Sequence, residues 1–167
     1  MGNNSSYDLP CTCWLPFVVN LSRGQVITSA TLKVVAVQND TSYSCYVKIG
    51  CEDADNLSAP TTKEDLEARV LTDAYLSFYP GNPVADFVVG EEETFDITSA
   101  VQEVLDRAGW TPQNTLAVLI KDNNSAVEAV RVFASTENTT YTEAILEIVY
   151  SSAGGLATIA ISPSLIF

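Results

Sequence analysis

The stretch Tyr43-Ser44-Cys45-Tyr46-Val47-Lys48-Ile49-Gly50-Cys51 decides the fold. Tyr43, Cys45, Val47, Ile49 and Cys51 alternate with Ser44, Tyr46, Lys48 and Gly50, a period of two that predicts a half-buried strand. Just upstream, residues 27–37 are β-branched and alternating, with Ala30, Leu32, Val34 and Ala36 on one face. Gln38-Asn39-Asp40 then supplies turn residues between the two runs. Working outward, residues 14–19, 70–78, 84–89, 116–121, 129–134 and 144–150 read as further short strands, with Asn, Asp, Gly and Pro between them. Gly90-Glu91-Glu92-Glu93 reads as a solvated loop, and Thr62 with Asp65 as the capping pair of one helical turn. A single helix is expected over about residues 99–108. Ser99 would cap it, Gln102 would reach back, Val101, Val104, Leu105 and Ala108 fall at helical spacing, and Gly109 would close it in left-handed conformation. The expected class is all-β: a two-sheet antiparallel sandwich with one short helix over an end.

The chain has 167 residues, enough for one core, and a composition of 47% hydrophobic and 17% charged residues excludes a disordered chain. Expected organisation is an N-terminal arm (1–13), the sandwich (14–150), and a C-terminal extension (151–167). In that extension Ser151-Ser152-Ala153-Gly154-Gly155 acts as a flexible hinge before an apolar tail. With 21 acids against 8 Lys and Arg, the net charge of −13 repels phosphate backbones and anionic lipid, so neither nucleic acid nor membrane is an expected partner. The start carries no signal-peptide pattern, and no stretch reaches the ~18 apolar residues of a membrane helix. Seven Asn-x-Ser/Thr triplets reflect turn-rich composition rather than glycosylation.

Histidine is absent, which removes imidazole bases, Ser-His and Cys-His dyads and His-ligated metals. No phosphate-binding glycine loop, G-x-S-x-G or H-E-x-x-H occurs. No catalytic residues are expected. Cys11, Cys13, Cys45 and Cys51 lack zinc or thioredoxin spacing and share parity with core positions. Small reduced core residues are expected there, with a bridge left open should the two segments pair.

Three groups could bind something. Glu52, Asp53, Asp55 and Asn56 gather hard oxygen donors in one turn, which reads either as a calcium site or as a polar hairpin. Tyr75, Phe78 and Tyr79 lie beside Pro80-Gly81 and are candidates for stacking on a glycan, whereas Trp14 and Trp110 read as core plugs. Leu156, Ile159, Ile161, Leu165, Ile166 and Phe167 form an apolar strip that would dock on a partner or complete the chain's own sheet. Residues 9–13 are a second docking segment.

Residues 21–32, Leu-Ser-Arg-Gly-Gln-Val-Ile-Thr-Ser-Ala-Thr-Leu, resemble the strand turn of DNRLRE-type, carbohydrate-binding-module-like jelly rolls. Asp55-Asn56, Ala59-Pro60-Thr61-Thr62 and Phe95-Asp96-Ile97-Thr98 add to the likeness, as do the helix leading into Gly109-Trp110, Asn114, Arg131 with Ser135, and residues 144–150. The resemblance covers about residues 14–150 and implies a jelly-roll sandwich. Such domains occur as non-catalytic modules of secreted proteins, and stand-alone versions resemble structural proteins of tailed bacteriophages. The missing signal and linker favour the second version. The implied function is a virion structural protein, a capsid decoration or head-fibre protein or a tail component. It would be assembled in the host cytoplasm, form homo-oligomers, and dock on phage capsid or tail proteins. A carbohydrate-binding module is the alternative.

Overall fold

The computed structural model describes residues 2–4, 9–40, 43–126 and 128–163, with 2–4 and 9–11 described through their backbone alone. In chain order the elements are β1 (Gly2–Asn4), β2 (Leu9–Cys11), β3 (Cys13–Val19), β4 (Ile27–Val35), β5 (Val47–Glu52), α1 (Lys63–Ala68), β6 (Leu71–Ser77), β7 (Glu92–Asp96), α2 (Thr98–Asp106), β8 (Asn114–Asp122), β9 (Ile145–Ser152) and β10 (Gly155–Ile161). Two antiparallel four-stranded sheets face each other, in the orders β3-β8-β5-β6 and β10-β9-β4-β7, while β1 and β2 pair separately. The fold is an all-β two-sheet sandwich.

The alternation read from the sequence points inward as expected. Ala30, Leu32, Val34 and Ala36 are fully buried and meet Cys45, Val47, Ile49 and Cys51 across the core, with Phe17, Leu116, Val118, Ile120, Leu146 and Ile148. Tyr43 departs from its expected parity and is about half exposed. α2 closes one end through Ala100, Val101, Val104 and Leu105, and Trp110 is buried beside it, its indole N–H donating to the Leu21 carbonyl at 3.0 Å. Trp14 is different: it lies on the outer face, and its Nε1 donates to Glu52 at 2.9 Å.

Several expected elements are corrected. Residues 84–89 form no strand: only Val84 and Phe87 make isolated bridges, to Cys45 and Asp40. Both are buried and three positions apart, a spacing that no flat strand presents to one side. Residues 129–134 likewise make only bridges. β7 occupies the supposed acidic loop, because Phe95 pairs with Leu32 and needs a strand to reach the core. Helix α2 begins at Thr98 with no side-chain cap from its N-cap residue, Ile97. Asp96 instead accepts from the Thr98 amide (3.0 Å) and hydroxyl (2.6 Å). Gln102 does not fold back on its own helix: it accepts from the Ile27 amide (2.8 Å) and donates to the Gln25 carbonyl (3.1 Å), fixing the start of β4. Gly109 does not take the left-handed conformation. A side chain there would collide with the Asp55 carboxylate, so the glycine answers to space rather than to φ. Thr62 does cap α1, accepting from the Asp65 amide at 3.1 Å, and Asp65 returns the bond to the Thr61 amide.

The supposed hinge is a two-residue hairpin. Ser152 pairs with Gly155 across Ala153-Gly154, and β10 runs back along β9 for seven residues without a bulge. Of the two readings of the apolar strip, docking on a partner or completing the chain's own sheet, the second holds as far as Ile161.

A third layer lies over the first sheet. Ala117 and Leu119 point away from the core on β8, yet both are fully buried, and Leu57 of the β5–β6 connection is buried too. That connection is held across the outer face by Lys121, whose ammonium donates to the carbonyls of Glu67 (2.9 Å) and Arg69 (2.7 Å). Beside it, Gly50 leaves no room for a side chain, since an added Cβ would sit 2.9 Å from that of Tyr75.

The described cysteines Cys13, Cys45 and Cys51 are free thiols; the side chain of Cys11 lies outside the described residues. Burial raises all three, Cys13 from 9.0 to about 11 and Cys51 further still. Thiols of the unfolded chain ionise near 9.0, whereas the folded chain keeps its protons, so rising pH favours unfolding. Stability is unaffected by these groups below pH 9 and falls above it, by about 1.4 kcal/mol per pH unit for each deeply buried thiol. Urea titrations at pH 8, 9 and 10 are expected to show this loss, with a shallower slope in Cys51→Ala.

Candidate functional site

The acidic turn at the end of β5 is built around arginines. Glu52, almost fully buried, accepts from Trp14 through one oxygen and from Arg69 through the other at 2.7 Å. Arg69 also grips Asp65 with two bonds of 3.0 and 3.1 Å, which hold that carboxyl below its ordinary range. Asp53 and Asp55 both meet Arg107, at the C-terminal end of α2, with Arg107 Nε 2.6 Å from Asp55. Asn56 stands 3.5 Å from the Thr115 amide, and Asn114 donates to the Asp55 carbonyl. The carboxylates of this turn are thus divided between two guanidinium groups, Glu52 on Arg69 and Asp53 with Asp55 on Arg107. Among the described residues no group of three or more His, Cys, Asp or Glu is placed to hold a metal ion. The geometry is that of a polar turn clamped by two arginines, the second of the two readings the sequence allowed.

The aromatic candidates separate. Phe78 packs edge-on against Phe95, ring centres 6.0 Å apart, and serves the core. Tyr75 and Tyr79 stay exposed, and the Lys48 ammonium lies 5.3 Å from the centre of the Tyr75 ring. Tyr75 also borders a groove of about 340 Å³ between β6 and the start of α2. Its floor is apolar, from Leu76, Ile97 and Ala100, and its rim is polar, from Asp96, Thr98 and Ser99. Asp96 is held ionised by the Thr98 hydroxyl and amide, which lower its pKa. Nearby, Glu103 accepts from the Asp73 and Ala74 amides, both at 2.9 Å, and so closes part of the β6 edge. The arrangement can hold a small polar molecule against an aromatic face.

Of the strip residues, Leu156 is two-thirds exposed, while Ile159 and Ile161 pack partly against the core. Leu165, Ile166 and Phe167 lie outside the described residues. β10 forms the outer edge of its sheet, and among the described residues only β9 pairs with it.

Arg131 entered the sequence reading only as part of a resemblance, and its bonding role was missed. Its side chain is buried and donates to the carbonyls of Ala85 (2.9 Å), Val130 (2.9 Å), Tyr43 (3.3 Å) and Val84 (3.5 Å), and to the Asp86 carboxylate at 3.1 Å. The one available signal was a charged residue sharing parity with Ala129 and Phe133 in an otherwise apolar run. All eight basic residues are in fact turned to internal use. Lys33 and Lys63 pair with Glu147 and Glu67, Arg23 reaches the Ala108 carbonyl, Lys48 covers Tyr75, and the other four act as described above.

Comparison with protein-family models, with curated proteins and with solved structures yields no match for this chain.

Proposed function

We propose that this chain is a non-catalytic structural protein that acts by docking on neighbouring subunits, as a virion protein of a tailed bacteriophage: a capsid decoration or head-fibre protein, or a tail component. One observation carries the docking part: an acidic, cross-braced body leaves β10, a strand edge free of charge and proline, open among the described residues. Open main-chain donors and acceptors of this kind are templates for strand addition. The division of the acidic turn between arginines supports a rigid role rather than a chemical one. The virion part rests on the resemblance of residues 14–150 to stand-alone jelly rolls.

The test is quantitative mass spectrometry of purified particles. The protein is expected in fixed stoichiometry with the major shell or tail protein, and its absence from washed particles would overturn the reading. A second reading, carbohydrate binding, draws on the exposed Tyr75 beside the groove. Glycan-array binding lost in Tyr75→Ala would put that reading first.

A further inference from the structure

We propose that β10 is a self-association edge: two copies pair β10 against β10 in antiparallel fashion about a two-fold axis at Thr158, joining their second sheets into one eight-stranded sheet. This rests on the docking reading and names the occupant of the edge as a second copy of the same chain.

Charge selects the occupant. Each copy carries −13, so two copies repel wherever acidic surfaces meet. The other strand edges are protected in recognisable ways. β7 reads Glu92-Glu93-Thr94-Phe95-Asp96, β6 carries Asp73 and has two amides bonded to Glu103, and β3 contains Pro16. β10, Gly155-Leu156-Ala157-Thr158-Ile159-Ala160-Ile161, has no charge, no proline and no bulge. A cationic partner would be steered to β7, whereas an identical acidic partner is steered away from β7 and β6, and the uncharged β3 is interrupted by Pro16. The strand is also self-complementary. With Thr158 opposite Thr158 of the second copy, Leu156 falls beside Ala160, Ala157 beside Ile159, and Gly155 beside Ile161. Bulky residues then meet small ones on both faces, a threonine pair stands at the centre, and the exposed Leu156 gains an apolar neighbour.

Sedimentation equilibrium of the full chain tests this, with Thr158→Glu and the charge-matched control Thr94→Glu on β7. Both positions are exposed, so thermal melts should match wild type. A reversible dimer is expected, tightening as salt rises from about 0.05 to about 0.5 M, because salt screens the repulsion between copies. Thr158→Glu sets two carboxylates face to face and should weaken the dimer at least tenfold, while Thr94→Glu leaves it within about twofold. A monomer at every concentration and salt overturns the proposal, as does equal weakening by both variants. The two readings fail separately. A monomeric chain that copurifies with particles overturns self-pairing alone, and a dimer absent from particles overturns the virion reading alone.

Discussion

Arg131→Met is expected to lose about 3–5 kcal/mol of stability, the largest effect of any single substitution at a polar residue here. Methionine fills much of the same volume but donates nothing. Four carbonyls, of Tyr43, Val84, Ala85 and Val130, would lose the donor that now serves them around a side chain that is itself buried. Each buried acceptor left unsatisfied costs about 1–3 kcal/mol. The carbonyls that retain some access to solvent fall at the low end, which keeps the sum within the stated range. For a domain this size the melting temperature should drop by about 10 °C or more. Asp86→Asn should cost under about 1 kcal/mol, because Asp86 is well exposed and its pairing is screened. Differential scanning calorimetry of the two variants separates the cases. A small loss in Arg131→Met would mean that the segments around Val84 and Val130 hold themselves in place without the guanidinium.

Leu119→Ala is expected to cost about 2–5 kcal/mol, as much as Leu116→Ala on the opposite face of the same strand. In a sandwich of two bare sheets Leu119 would face water, and its truncation would cost almost nothing. The structure buries it completely on that outer face, in register between Trp14 and Gly50 and beside the β5–β6 connection that Lys121 holds, so the substitution opens a cavity there. Chemical denaturation of both variants decides the matter. A loss under about 0.5 kcal/mol for Leu119→Ala would show that the connection does not seal that face in solution.

The strands legible in the sequence were those with one buried face and clear turn residues at both ends. β4 and β5 announce themselves because water and core alternate along them. β8 carried a further message in Leu116-Ala117-Val118-Leu119-Ile120, an unbroken apolar run that signals burial on both faces. β7 was hidden because only Phe95 among its residues is buried, and three consecutive glutamates look like loop. β10 was hidden by Gly154-Gly155, which reads as flexible chain until its partner strand is known; Gly155, with φ of 120°, in fact serves a tight reversal. The candidate site was less legible than the fold. The acidic turn was visible, but the arginine that meets Asp53 and Asp55 lies more than fifty positions away, and no local pattern announces such a pairing. The exposure of Tyr75 and Tyr79 followed from their place beside a Pro-Gly turn, whereas the groove depends on the approach of α2, which no single segment encodes.

Because every lysine and arginine meets a partner within the molecule and acids outnumber them 21 to 8, carboxylates dominate its outward electrical signature. Acid removes that signature unevenly. Glu93, pushed up by burial and by Glu91, takes up its proton above the usual carboxylate range, while Asp65 and Asp96, held low by their donors, keep their charge longer. As pH falls, the grip of Asp65 on Arg69 therefore survives the discharge of Glu93 on β7.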